Sequence, residues 1–187
     1  MAWAGILDSA VSGKRGLFIV NIRYNMMTKA LVGILDHLLR VNGQPGALIS
    51  IERPHIFVSK LMEKHGIPTD KLVYLDAVTN ISGEPGVASE SLDLLASPFC
   101  VNFMSGFTTC HAAKVAVSSR GFILMDNLAA LAPYMSEACI DRFVGLLKSL
   151  DTECIIVLDK DKHRSLFDIL MNNGATELTM TDNAICI

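Results

Sequence analysis

The stretch Leu17-Phe18-Ile19-Val20-Asn21-Ile22-Arg23-Tyr24-Asn25-Met26-Met27-Thr28-Lys29 decides the fold. Its apolar opening predicts a strand over Leu17–Ile22. A short polar loop follows, and the spacing of Leu31, Ile34, Leu35, Leu38 and Val41 predicts a helix over Thr28–Val41. Asn25 is placed to cap that helix, and Asn42-Gly43 offers a left-handed stop.

The same alternation continues outward. Ala47–Ile51 reads as a second buried strand. Pro54 suits the first turn of a helix carrying Phe57, Val58, Leu61, Met62 and His65 and closed at Gly66. Lys71–Val78 reads as a third strand. The pattern weakens over Asn80–Ser91, where Gly83-Glu84-Pro85-Gly86 marks a turn or exposed loop. A short helix over Ser89–Ala96, a strand over Phe99–Phe103 and a helix over Thr108–Ser118 are expected next. Gly121–Met125 is a strongly apolar strand running into Asp126. Ser136 opens a helix with Ile140, Phe143, Val144, Leu147 and Leu150 on one face. Cys154–Leu158 is a further buried strand, a helix spans His163–Asn173 and stops at Gly174, and Glu177–Ile187 supplies one or two closing strands. Five-residue apolar strands alternating with helices predict a three-layer α/β fold, its mostly parallel sheet covered on both faces. No internal repeat or linker interrupts it, so residues 1–187 are expected to form one domain.

Bulk composition agrees. Of 187 residues, 51% are hydrophobic, and the mean hydropathy of +0.40 is high for a chain with no run near the ~20 apolar residues of a membrane span. A sheet buried on both faces, or a buried oligomer interface, accounts for that. Met1–Arg15 has no basic leader ahead of an apolar stretch, so no secretory signal is expected. The net charge of −3 makes nucleic acid an unexpected partner. The one basic cluster, Lys160, Lys162, His163 and Arg164, is interleaved with Asp159 and Asp161. Five cysteines form no C-x-x-C pair and are odd in number, which fits a reducing cytoplasm without a disulfide framework. Cys110-His111 with Cys100 matches no metal-ligand spacing. Ser105-Gly106 and Ser82-Gly83 lack the glycine-flanked elbow of a serine hydrolase.

Ligands of an open parallel sheet sit beyond the carboxyl ends of its strands. The residues to read there are Asn21–Asn25, Glu52 with Arg53, Asp76, Asp126 with Asn127, and Asp159 with Lys160. The layout strand–loop–helix is also that of a phosphate-cradling loop, G-x-x-x-x-G-K-[ST]. Laid over Asn21–Thr28, that pattern puts Asn21 at the first glycine, Met26 at the second and Met27 at the lysine; only Thr28 matches.

Three segments together resemble the RecA superfamily, most closely its KaiC-like branch. Trp3-Ala4-Gly5-Ile6-Leu7-Asp8 through Gly16-Leu17-Phe18-Ile19-Val20 is similar to the lead-in of that family's phosphate loop. Ala47-Leu48-Ile49-Ser50-Ile51-Glu52-Arg53 resembles its second strand, ending in the glutamate that activates water, and the following helix ends in a similar His65-Gly66-Ile67. Phe122-Ile123-Leu124-Met125-Asp126-Asn127-Leu128 resembles the Walker B strand with its magnesium-binding aspartate. Order and spacing carry the likeness.

The departure lies in the phosphate (Walker A) loop. Glycines there take positive φ and turn N–H groups onto the phosphates; a residue with a Cβ forced left-handed costs roughly 1–2 kcal/mol. Met26 adds bulk and Met27 removes the cation, so the loop reads as degenerate. The resemblance thus implies a P-loop NTPase fold acting as a pseudo-ATPase, a non-hydrolysing regulatory or assembly subunit in the cytoplasm. Glu52 and Asp126 are then vestigial candidates and no catalytic residue or metal site is expected. No resident cofactor is expected either, with room left for weak ATP–magnesium binding. The implied partners are further copies of the chain or an active RecA-like relative, with no membrane contact. The alternative is an enzyme or sensor that binds a nucleotide or other phosphorylated ligand in a remodelled cleft through Asn21, Arg23, Asn25 and Thr28, with Glu52 or Asp126 as base or magnesium ligand. A third reading is an independent interaction module.

Overall fold

The apolar run after Arg15 forms strand β1 (Gly16–Asn21), buried along nearly its whole length. The structure, a computed structural model, describes residues 14–79, 92–94, 121–150, 152–180 and 185–186. Helix α1 (Met27–Leu35) follows a single 3-10 turn at Tyr24–Met26. It runs on into a π-helical segment, Asp36–Val41, which the Asn42 N–H closes on the His37 carbonyl before Gly43 turns left-handed at φ +63°. The remaining elements are β2 (Gly46–Ser50), α2 (His55–Lys64), β3 (Leu72–Asp76), β4 (Leu92–Leu94), β5 (Phe122–Met125), α3 (Glu137–Ser149), β6 (Glu153–Leu158), α4 (Arg164–Asn172), β7 (Thr176–Met180) and β8 (Ile185–Cys186).

Among the described residues eight strands join one sheet in the order β4-β3-β2-β5-β6-β1-β7-β8. Every pairing is parallel except β7 with β8. Alternate residues of β1, β2, β3, β5 and β6 feed two separate cores. On one face Phe18, Val20, Leu48, Leu124, Ile155 and Val157 pack with Met27, Leu31, Ile34 and Leu35 of α1 and Val58 and Met62 of α2. On the other, Leu17, Ile19, Ile49, Ile123, Met125 and Ile156 pack with Ile140, Phe143 and Leu147 of α3 and Leu166, Phe167 and Leu170 of α4. The result is the expected three-layer α/β architecture. Among the described residues no helix is long and apolar enough to cross a membrane.

Two local expectations fail. Within the expected Ser89–Ala96 helix, the described residues Leu92–Leu94 are a strand instead, paired in register with Tyr74–Asp76. Leu92-Asp93-Leu94 alternates with the strand period, and the pairing offered by the open edge of β3 outweighs a short isolated helix. Asn25 does not cap α1: it lies inside the 3-10 turn, and the residue at the cap is Met26, without a side-chain hydrogen bond. The strand expected over Phe99–Phe103 and the helix over Thr108–Ser118 lie outside the described residues.

One glycine is required by packing. A Cβ on Gly46 would stand 2.3 Å from the Phe122 ring, and that ring is fully buried on the neighbouring strand.

Candidate functional site

The carboxyl edge of the sheet gathers the ends of β1, β2, β5 and β6, and most of its polar residues are held by other parts of the chain. Asp126, the first residue after β5, is 1% exposed. Its Oδ1 accepts the Ile51 N–H at 2.8 Å and its Oδ2 the Arg53 N–H at 3.1 Å, while the Glu52 N–H lies 3.3–3.4 Å from the two oxygens. Three consecutive N–H groups pointing one way make an anion-binding concavity, and here the anion inside it is Asp126. Burial pushes this carboxyl up to about 6, against the lowering by the N–H groups of residues 51–53 and by the Arg53 guanidinium. Asp126 does not cap the turn before Leu128. Asn127 does so, its Oδ1 accepting the Ala129 N–H at 3.1 Å.

Glu52 is engaged from two sides. Arg53 Nη1 lies 2.7 Å from Glu52 Oε2 and 3.8 Å from Asp126 Oδ2, and the Tyr24 phenol donates to Glu52 Oε1 at 2.5 Å. The Glu52 hydrogen bond and charge, with some burial, raise the Tyr24 phenol above its usual range, with Arg53 opposing. Tyr24 is anchored on its other side as well. Its N–H donates to Asp159 Oδ2 at 2.9 Å, and Lys162 Nζ stands 4.8 Å from its ring centroid, within cation–π range. Asp159 also organises the turn after β6, accepting the Asp161 N–H through Oδ1.

The four residues read from sequence as ligand binders lie between the end of β1 and the first turn of α1. Asn21 ends β1 and turns toward β7: its Nδ2 donates to Glu177 at 2.9 Å and its Oδ1 accepts the Lys160 N–H at 3.2 Å. Lys160 Nζ closes this group on the same Glu177 oxygen at 2.6 Å. Arg23 and Asn25 are exposed on the turn surface and Thr28 is half-buried in the first turn of α1. Met27, at the position the resemblance gives to the lysine, is 0% exposed and packs in the core beneath α1. Met26, at the second glycine's position, has φ −104° and is partly packed against that core. The turn therefore runs through right-handed conformations at a position where a phosphate cradle calls for positive φ.

A second buried carboxylate closes the far side of the edge. Asp76, at the end of β3, is 0% exposed and accepts the His55 N–H at 2.7 Å and His55 Nδ1 at 2.9 Å. It also accepts the Thr79 hydroxyl and the N–H groups of Val78 and Thr79. Burial pushes this carboxyl upward, but the hydrogen bonds outweigh it and hold Asp76 below the usual carboxylate range. Asp76 thus caps the start of α2, where Pro54 supplies no N–H.

Sequence alone does not single out Tyr24, whose role rests on a tertiary contact. The only local signal is an aromatic residue in a polar loop. Asp159 is marked by its place after a strand, which is where the structure uses it.

No family model matches the sequence, and no curated protein matches it. Solved structures do. A KaiC-like protein of Pyrococcus horikoshii superposes with a TM-score of 0.61 at 12% identity, over 91% of this chain and 76% of that one. An uncharacterized protein of the same organism, solved with an unknown peptide bound, gives a TM-score of 0.67 at 11% identity over 99% and 88%. The flagellar accessory protein FlaH of Methanocaldococcus jannaschii gives 0.54 at 14% identity over 96% and 80%. At these identities the likeness speaks to the fold alone: the chain has the RecA-like α/β fold shared by KaiC-like proteins.

Proposed function

We propose that this RecA-like chain is a pseudo-ATPase, a non-hydrolysing subunit that regulates or assembles with other proteins. One observation carries the reading: the Asp126 carboxylate, at the position that holds magnesium in the family it resembles, is buried and given over to the N–H groups of residues 51–53. A metal ion there would have to displace those three donors and share the site with Arg53 at 3.8 Å. Two further features support it. The burial of Met27 leaves the terminal phosphates without the usual lysine, and Tyr24 and Arg53 engage the Glu52 that would activate water. A protein-interaction role is supported by a similarly folded protein that was solved with a peptide bound. Further copies of this chain, or an active RecA-like relative, are the proposed partners.

Calorimetric titration with Mg-ATP, run beside a phosphate-release assay, tests this. The expected result is neither micromolar binding nor turnover. Micromolar binding with turnover that Asp126→Asn abolishes would overturn the reading in favour of a remodelled, active cleft binding through Asn21, Arg23, Asn25 and Thr28. Native mass spectrometry of the freshly purified protein reports the subunit count and any carried ligand together.

A further inference from the structure

β1 and β2 are not neighbours: β6 and β5 lie between them. Three strand spacings put their axes about 14 Å apart. The hydrogen bond from Tyr24, just after β1, to Glu52, just after β2, therefore passes over the carboxyl ends of both intervening strands. Those ends carry Asp126 and Asp159, and this is the crevice where an open parallel sheet receives ligands. Tyr24 is fixed at its base by its own N–H on Asp159 Oδ2 and along its ring by Lys162. At its tip, the phenol meets a carboxylate that Arg53 holds in place at 2.7 Å. Tyr24 remains 46% exposed, so it lies at the surface of the edge instead of filling the core.

We propose that Tyr24 is an intramolecular strap that holds the carboxyl-edge crevice shut, its hydroxyl on Glu52 being the releasable end. The inference builds on the reading of this edge as a non-hydrolysing site and adds how access to it is controlled. Breaking one phenol–carboxylate contact frees the turn after β1 from the turn after β2, while the anchor on Asp159 keeps the ring tethered. The Glu52–Arg53 pair then comes within reach of a partner or solvent.

Hydrogen–deuterium exchange tests the strap by comparing the unaltered protein with Tyr24→Phe. With the hydroxyl gone, exchange is expected to rise several-fold in peptides covering residues 22–28 and 51–54 and to stay unchanged in α3. Equal exchange in both segments would overturn the proposal. A second measurement on the unaltered protein guards against a variant that does not fold. With tyrosine labelled at Cζ, the Tyr24 resonance should titrate above the ordinary tyrosine range and move toward it in Glu52→Gln. Titration at the ordinary value in the unaltered protein would equally overturn the strap. Both readouts are taken without nucleotide, so failure of the strap is distinguishable from failure of the pseudo-ATPase reading, which the Mg-ATP titration decides.

Discussion

Arg53 stands between Glu52 and Asp126, 2.7 Å from the first carboxylate and 3.8 Å from the second. One guanidinium thus serves two acidic groups, Glu52 after β2 and Asp126 after β5, and the loop carrying it also supplies the backbone donors that hold Asp126. Replacing residues in this part of the protein has consequences that follow from burial and charge.

Met27→Lys is the obvious attempt to rebuild a phosphate-binding lysine, and it is expected to fail. The side chain at this position points into the core, so the ammonium must be desolvated, neutralised or forced out at the expense of packing. A loss of at least about 2 kcal/mol is expected. Urea denaturation should show a lower midpoint with unchanged slope, and Mg-ATP should restore none of it. Full stability together with ATP binding would show that the turn can rearrange into a cradle.

The pH dependence of stability should carry the mark of Asp126. Its carboxyl sits at about 6 in the folded protein, above the ordinary value of 3.8. The native state therefore holds its proton more tightly than the unfolded chain. This favours folding fully below the unfolded value and is lost as pH rises through about 6. A displacement of that size is worth roughly 3 kcal/mol between the two ends of this range. Urea midpoints measured from pH 5 to pH 8 should fall in the native protein, and Asp126→Asn should flatten that slope.

Asp76 is expected to act in the opposite direction. Its carboxyl lies below the ordinary range, so its contribution is present above the unfolded value and lost as pH falls through the lowered one. Asp76→Ala strands the His55 N–H and the Thr79 donors in a buried setting. A loss of about 2–4 kcal/mol is expected, with faster amide exchange in the first turn of α2. A loss below about 0.5 kcal/mol would mean that water replaces the carboxylate without cost.

Gly46→Ala drives a methyl group into the Phe122 ring. Overpacking of this kind costs about 1–3 kcal/mol. Pairing it with Phe122→Leu should recover part of the loss, so a double-mutant cycle is expected to be non-additive. Additive losses would place the strain elsewhere.

Most of the layered fold is legible because burial on both faces leaves long apolar runs, as in Leu17–Val20 and Ile155–Leu158, and because Gly43, Gly66 and Gly174 end helices at positive φ as their positions suggest. Leu92–Leu94 departs from its expected helix because three residues carry too little periodicity, and the deciding factor is an open strand edge supplied by β3. The edge residues Glu52, Asp126 and Asp159 can be located by counting from strand ends. Their partners cannot, since Tyr24 meets Glu52 28 residues away and Asp126 meets Ile51 75 residues away. Whether a carboxylate faces solvent or backbone is settled by such contacts. Asn21 shows the same limit: its place beyond a strand suggests ligand binding, while Glu177, 156 residues later, takes its amide.

The concavity made by the N–H groups of residues 51–53 has a consequence for any soluble anion. Its resident carboxylate is covalently part of the chain and fixed at the end of a rigid strand. Its effective concentration at those donors is therefore well above the millimolar range of a flexible tether. Free phosphate or a nucleotide at cellular concentrations competes against a ligand that never diffuses away. An external group at these donors therefore has to displace Asp126, whatever its intrinsic affinity for them.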